Sequence, residues 1–191
     1  MILFGLSLNL KAQEGSFEQY YYMGPNTTFN MIPVFTQQLS GKRFVEFRYN
    51  YEDLKTASVF VGQTFDGEAN LSYSLSPKAG FMVGGMNGGV VGLDVELSYK
   101  KFSLSSQPQY AFSLKNTRSN FIYSWTDIIC GINGQLNAGI SLQSTKLYNS
   151  PLTLERGLMI EPSFKKWSFP IYVFNPETGE RYFVIGINFE W

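Results

Sequence analysis

The sequence predicts an all-β fold: a single transmembrane antiparallel up-and-down β-barrel of about twelve strands, with a lower bound of about eight. Three observations support this prediction. Apolar and polar residues alternate along most of the chain, closely spaced turn residues divide the alternation into short segments, and no stretch has a helical period. Charged residues make up only 16% of the 191 residues. Because ordinary soluble domains carry about 25%, a surface facing water would be short of charge.

The N-terminal segment has the pattern of an export signal. Apolar residues dominate the first ten positions, and the short stretch Lys11 to Gln13 precedes Glu14. This run is far shorter than the ~20 residues that a membrane-spanning helix needs, so we interpret residues 1–13 as the remnant of a signal peptide, with a buried first strand as the alternative. We expect residues 14–26 to form a periplasmic segment or an extension of the first strand, and residues 27–191 to form the barrel.

Period-two alternation is clearest between Phe44 and Glu52. One face of this segment carries Val45, Phe47, Tyr49 and Tyr51. The opposite face carries Glu46, Arg48, Asn50 and Glu52. Along the chain, alternation and turn residues predict strands at 27–39, 42–52, 55–65, 68–75, 78–85, 89–99, 102–114, 120–131, 135–148, 157–164, 167–174 and 181–191. Because successive strands are joined tightly, we expect every neighbouring pair to be antiparallel.

The connections alternate in length, which predicts an orientation. The short turns assigned to one end are Asp53-Leu54, Ser76-Pro77, Lys100-Lys101, Asn133-Gly134 and Lys165-Lys166. The longer connections assigned to the other end are 85–88, 115–119, 149–156 and 175–180. Transmembrane barrels place their short turns on the periplasmic side, and an even number of strands returns the chain to the side where it started. We therefore expect both termini to be periplasmic.

The two faces of the strands differ in a way that indicates which one meets lipid. The polar face is mainly Ser, Gly, Asn and Gln, which fits a crowded barrel interior better than a surface in water. Near the predicted periplasmic rim the apolar face carries Tyr49, Tyr51, Tyr73, Tyr99, Phe102, Phe164, Trp167 and Trp191. Near the opposite rim it carries Tyr110, Phe112, Phe121, Tyr123 and Trp125. Two aromatic girdles are typical of a barrel in lipid, although Tyr and Phe also simply favour strands.

Asp127 departs from this pattern. Strict alternation from Trp125 would direct the Asp127 carboxylate toward lipid, at a cost of about 2 kcal/mol or less near an interface. We therefore expect a β-bulge around Thr126 that turns Asp127 into the lumen.

The last strand supplies a more specific signal. Its apolar residues recur at every second position, at Phe183, Ile185, Ile187, Phe189 and Trp191. This pattern resembles the C-terminal strand signal of bacterial outer-membrane β-barrel proteins, and it does not indicate a narrower family. The resemblance implies a location in the outer membrane of a Gram-negative bacterium, contact with outer-membrane lipids, and recognition of the last strand by the barrel-assembly machinery. It leaves any partner membrane protein unspecified.

Composition excludes several function classes. Lys and Arg total 15 and Asp and Glu total 15, so no basic excess is present to bind nucleic acid. The chain has no His and one Cys, Cys130, which excludes His-dependent triads, His-based metal sites and an intrachain disulfide. The glycines between positions 84 and 89 precede neither a Lys-Ser/Thr pair nor a helix, so they predict a hairpin and not a phosphate loop. We expect no enzyme activity, no cofactor and no metal site.

Charged residues on the predicted inner face are the candidate functional residues. The lumen-lining candidates are Glu46, Arg48, Asp94, Glu96 and Glu161. Asp94 and Glu96 are two residues apart and share one strand face, and Arg48 is the expected internal counter-ion. Confined carboxylates attract cations and repel anions, whereas the alternative is a network of salt bridges that only fills the lumen.

These features predict a narrow channel or facilitator for cations or small polar solutes. The alternative is a non-conducting structural or accessory barrel that docks partner proteins in the outer membrane. Barrel size does not decide between them, because twelve strands lie between a filled eight-stranded barrel and an open sixteen-stranded channel. The bulky inner residues Phe44, Phe60, Met82 and Met86 predict partial occlusion.

Overall fold

A ladder of antiparallel strands closes on itself in the computed structural model, which describes residues 14–191. The interpretation of residues 1–13 as a signal peptide lies outside the described residues. In chain order the strands are β1 (Gly15–Gly24), β2 (Thr27–Leu39), β3 (Arg43–Tyr49), β4 (Thr56–Gln63), β5 (Phe65–Glu68), β6 (Ser72–Gly84), β7 (Gly88–Tyr99), β8 (Phe102–Ser113), β9 (Phe121–Asn133), β10 (Leu136–Leu147), β11 (Thr153–Phe164), β12 (Trp167–Ser168), β13 (Ile171–Phe174) and β14 (Tyr182–Glu190).

The fourteen strands occupy twelve strand positions around the barrel. β4 and β5 pair with successive parts of β6, and β12 and β13 pair with successive parts of β11. The pairing of β1 with β14 closes the ring. The predicted antiparallel barrel of about twelve strands is therefore confirmed.

The predicted number of strands agrees with the structure, although two of the predicted elements do not. Residues 15–24 form β1, a full-length barrel strand that the alternation did not predict. The predicted strands 68–75 and 78–85 and the turn Ser76-Pro77 are wrong, because β6 runs without a break through Pro77. The β4–β6 ladder ends at Lys78 and the β5–β6 ladder resumes at Leu75. Pro77 lies in this gap, so its missing N–H costs the sheet no ladder hydrogen bond on that side.

The two ends of the barrel have different connections. At the short-turn end lie connections 40–42, 69–71, 100–101, 134–135 and 165–166. At the long-loop end lie connections 25–26, 50–55, 85–87, 114–120, 148–152 and 175–181. The Trp191 amide donates a hydrogen bond of 3.1 Å to the Gly15 carbonyl, so β1 begins and the chain ends at the short-turn end. The assignment of Asp53-Leu54 to the short-turn end is wrong. Because the chain has β1 before the first predicted strand, the first connections lie at the opposite ends from those predicted.

Outward side chains are mostly apolar and exposed, as expected of a face in lipid. Outward aromatic residues at the short-turn end include Tyr73, Tyr99, Phe102, Phe164 and Trp167. At the long-loop end they include Tyr49, Tyr110 and Phe112, so Tyr49 lies at the rim opposite to the predicted one.

The predicted outward facing of Phe121, Tyr123 and Trp125 in β9 is wrong, and so is the predicted bulge, whereas Asp127 points into the lumen as predicted. Phe121, Tyr123, Trp125 and Asp127 all point into the lumen, and the ladders on both sides of β9 run through Thr126 without a bulge. The lipid-facing positions of β9 are instead occupied by residues such as Ile122 and Ile128, which are 53% and 47% exposed. Tyr51 also lies inside the barrel, where its hydroxyl donates to Gln107 at 3.1 Å.

Helical structure is nearly absent from the part of the chain that the structure describes. Within residues 14–191 the only helical element is a 3₁₀ turn, Thr117–Ser119. No helix of these residues is long and apolar enough to cross a membrane.

Lipid contact predicts a depth-dependent effect of charge on β11. Leu158 lies midway along this strand and Leu154 lies near its long-loop end, and both point outward. We expect Leu158→Arg to lower the free energy of unfolding by about 2–4 kcal/mol and Leu154→Arg to lower it by about 0–1 kcal/mol. Urea titration of the protein folded into lipid vesicles measures both values. Equal losses for the two variants would contradict the placement of β11 across the hydrocarbon layer.

Candidate functional site: the barrel lumen

Apolar side chains fill the lumen toward the long-loop end. The first buried cluster consists of Phe60, Met82, Met86, Val90, Ala111 and Phe121. The second consists of Trp125, Met159, Tyr172, Phe174, Tyr182 and Val184. We call these two clusters the plug. Of the four bulky residues predicted inside the barrel, Phe60, Met82 and Met86 belong to the first cluster, and all four, including Phe44, are at most 6% exposed.

Below the plug, a cavity of about 980 Å³ occupies the lumen toward the short-turn end, and we call it the vestibule. Its rim includes Glu14, Lys165 and Lys166 from the short-turn end, and its floor includes Arg48 and Trp125. A smaller cavity of about 200 Å³ lies at the long-loop end, beside residues such as Met86. Met86 belongs to the first cluster of the plug, whereas Trp125 and Tyr172 of the second cluster line the vestibule.

A network of buried ion pairs reaches from the inner end of the vestibule to the plug residue Phe60. We call it the floor network, and it consists of Glu46, Arg48, Glu52, Lys78 and Asp94. Glu46 Oε1 is 2.7 Å from Arg48 Nε and 3.1 Å from Lys78 Nζ. Lys78 Nζ is also 2.7 Å from Asp94 Oδ2, and Arg48 Nη1 is 3.5 Å from Glu52 Oε1. Buried charges require such partners, because desolvation costs several kcal/mol per ion.

Arg48 also joins the floor network to the plug. Its guanidinium carbon lies 4.1 Å from the centroid of the Tyr51 ring and 5.0 Å from that of Phe60. Rings in this position stabilise a cation through their quadrupole. The structure thus places Arg48 against Glu46, as the sequence analysis expected of a counter-ion, and adds Lys78 as a second cation. Only the barrel register shows that Lys78 reaches Glu46.

The five predicted lumen residues do not form one group. Glu46 and Arg48 lie in the floor network and contact the vestibule. Asp94 is tied to Lys78, whereas Glu96, two residues further along β7, lines the vestibule. Glu161 lies on the vestibule wall contributed by β11.

Carboxylates outnumber cations around the vestibule. Its seven acidic side chains are Glu14, Glu18, Glu46, Glu96, Asp127, Glu161 and Glu190. Its three basic side chains are Arg48, Lys165 and Lys166. Among residues 14–191, ion pairs reach only Glu46 of these seven. The vestibule is therefore a confined space with an excess of negative charge.

One wall of the vestibule combines carboxylates with aromatic rings, which the sequence analysis missed. Asp127 accepts hydrogen bonds from Trp125 Nε1 at 3.0 Å, Ser141 Oγ at 2.5 Å and the Tyr172 hydroxyl at 3.2 Å. Glu18 accepts one from the Tyr20 hydroxyl at 2.8 Å. The alternation of β9 could have revealed this wall. Residues two apart on a strand share a face, so an inward Asp127 requires an inward Trp125.

Metal-binding geometry is not found in the described part of the chain. Residues 14–191 contain no group of three or more His, Cys, Asp or Glu side chains that could hold a metal ion. Cys130 is free and half-buried.

Comparisons with known proteins identify the fold. No family model and no characterised protein sequence matches the chain. The structure of KdgM porin is similar with a TM-score of 0.65 and 12% identity, covering 91% of this chain and 98% of that one. KdgM porin in complex with disordered oligogalacturonate gives 0.67 and 12%, with the same coverage of 91% and 98%. NanC porin gives 0.63 and 10%, covering 92% and 98%. At these identities the similarity shows that the chain has the fold of outer-membrane porin barrels.

The floor network predicts a difference between two lysine variants. Lys78 is buried between two carboxylates, whereas Lys42 forms an exposed pair of 2.6 Å with Asp66. We expect Lys78→Met to reduce the free energy of unfolding by about 3–5 kcal/mol, because it leaves Asp94 without a paired cation and Glu46 with Arg48 alone. The matched variant Lys42→Met should lose about 0–1 kcal/mol. Urea unfolding in vesicles tests both, and a loss for Lys78→Met no larger than that for Lys42→Met would contradict the buried network.

The division of the lumen predicts which side chains a polar reagent reaches. In a Cys130→Ser background, Ser163→Cys places a thiol on the vestibule wall and Ser58→Cys places one where the native side chain is fully buried. A charged methanethiosulfonate reagent should label position 163 rapidly and position 58 at least about tenfold more slowly. Mass spectrometry of the folded protein measures both rates. Similar rates would show that water passes the floor network freely.

Proposed function

We propose that the protein acts in the outer membrane as a narrow channel or facilitator for cations or small polar solutes. The observation that carries this proposal is the vestibule of about 980 Å³, around which seven carboxylates face three basic side chains. A confined excess of one charge raises the local concentration of the opposite ion. Cations are thereby concentrated in the vestibule and anions are repelled from it.

The ligand class of a structural neighbour does not transfer to this chain. One similar structure holds oligogalacturonate, which is a polyanion, in KdgM porin. The vestibule wall of this protein would repel such a ligand, because Glu18, Asp127 and Glu161 present carboxylates without a paired cation among the described residues. Selectivity for cations or neutral solutes fits these side chains better.

The plug limits what passes. Phe60, Phe174 and Val184 are fully buried within it, so a solute crosses only when such side chains move aside. This packing favours small solutes and brief openings, in contrast to the permanent aqueous channel of larger porin barrels.

The barrel's orientation and assembly complete the proposal. We assign the short-turn end, and with it β1's start and Trp191, to the periplasm. The outward apolar residues of β14 are then the signal for the barrel-assembly machinery, and the outer membrane supplies the surrounding lipid.

A second candidate function rests on the plug itself. Two buried apolar clusters occupy the lumen, and such packing is also expected of a structural or accessory barrel that conducts nothing. Such a barrel would dock a partner membrane protein and co-purify with it in mild detergent.

Planar-bilayer recording tests the channel. With purified protein in a KCl gradient, we expect single-channel steps whose reversal potential indicates preference for K⁺ over Cl⁻. Removing two vestibule charges with Glu96→Gln and Glu161→Gln should reduce this preference by a factor of about three to ten. The control Glu155→Gln removes a carboxylate of the same strand as Glu161 that does not line the vestibule. Absence of steps in the wild type, together with a co-purifying partner, would favour the accessory barrel; anion preference in the wild type would refute the selectivity.

A further inference from the structure

We propose that the vestibule binds an organic cation, an ammonium group with apolar substituents, against the wall formed by Tyr20, Trp125 and Tyr172 with Glu18 and Asp127. This inference rests on the proposed function, because it names the class of solute that the acidic vestibule takes. It goes further, because it assigns a binding site to one wall.

Three aromatic rings form the apolar part of this site. The Trp125 ring centroid lies 5.6 Å from that of Tyr20 and 5.1 Å from that of Tyr172. All three residues line the vestibule. They come from β1, β9 and β13, so the closed barrel brings together rings that are far apart in sequence. The face of an aromatic ring attracts an ammonium cation through the ring quadrupole, and Trp is the strongest of the three ring types.

Two carboxylates supply the charge. Asp127 is fixed by hydrogen bonds from Trp125, Ser141 and Tyr172, and Glu18 by one from Tyr20. The donors are all neutral, so they orient the carboxylates without cancelling their charge. No Lys or Arg of residues 14–191 lies within 4.0 Å of either carboxylate. A bound cation would provide the missing positive charge beside the rings.

An amide oxygen without a hydrogen-bond partner in the described part of the chain lies beside this wall. Asn188 is directly opposite Glu18 in the β1–β14 ladder and lines the vestibule. Its Oδ1 atom is buried and has no hydrogen-bond partner among the described residues. Buried carbonyl oxygens normally have a partner, so Asn188 offers an acceptor for a hydroxyl or N–H group of the ligand.

The same residues discriminate against other solutes. A bare metal ion requires several oxygen ligands around one point, and the described residues contain no such group of three. A neutral sugar would stack on the rings but leave the carboxylates uncompensated, and an anion would be repelled by them. The cavity of about 980 Å³ is large enough for an organic molecule.

Calorimetric titration of the folded protein in detergent micelles tests the site with choline as the probe. The matched probe 3,3-dimethyl-1-butanol has the same shape without the charge, and D-glucose serves as the neutral sugar. We expect saturable choline binding, and at least about tenfold weaker binding of the two neutral probes. Trp125→Leu, Asp127→Asn and Glu18→Gln should each weaken choline binding by about tenfold, while the control Glu155→Gln should leave it unchanged.

Heat-modifiable migration on gels verifies that each variant is folded, and Glu18→Gln keeps the test valid if Asp127→Asn fails to fold. The site is refuted if choline does not bind, if the neutral probes bind equally well, or if Glu18→Gln binds like Glu155→Gln. Bilayer recording separates this result from the channel. Choline binding without conductance supports the site and refutes the channel, whereas cation-selective conductance without choline binding refutes the site alone.

Discussion

A strand edge exposed to lipid leaves backbone N–H and C=O groups without hydrogen-bond partners, and each such group costs several kcal/mol in a medium without water. The pairing of β1 with β14, which extends from Ser16 opposite Glu190 to Met23 opposite Phe183, removes this edge. Everything else in the lumen depends on the closure. It places Tyr20 near Trp125 and sets Glu18 beside Asn188, so the vestibule wall exists only in the closed barrel.

Alternation along the chain was sufficient to predict the antiparallel barrel and the inner face of most strands. It failed at Pro77, where a turn residue lies inside β6, because the effect of a missing N–H depends on the neighbouring strand and not on the local sequence. It also failed for β1. The consecutive tyrosines 20–22 hide the difference between the two faces, since Tyr is accepted both in lipid-facing girdles and inside the barrel.

The candidate site was predictable in part, and β9 shows why. The charged residues could be assigned to the lumen because few other environments tolerate them, and Glu46 with Arg48 followed from spacing on one strand. Aromatic residues, in contrast, are accepted both inside a barrel and on its lipid-facing side. Trp125 was assigned to lipid by composition, but its N–H needs a hydrogen-bond partner, and Asp127 and Ser141 provide it inside the barrel. Contacts between distant strands, such as that of Lys78 with Glu46, require a register that one sequence does not specify.

The position of Arg48 over the ring of Phe60 has a mechanical consequence. The guanidinium is held by Glu46 and Glu52 on one side and packs against a buried ring of the plug on the other. A displacement of Phe60 therefore also changes the surroundings of a buried cation. Moving this part of the plug costs more than the loss of its apolar contacts alone, because Arg48 also loses a ring that stabilises its charge.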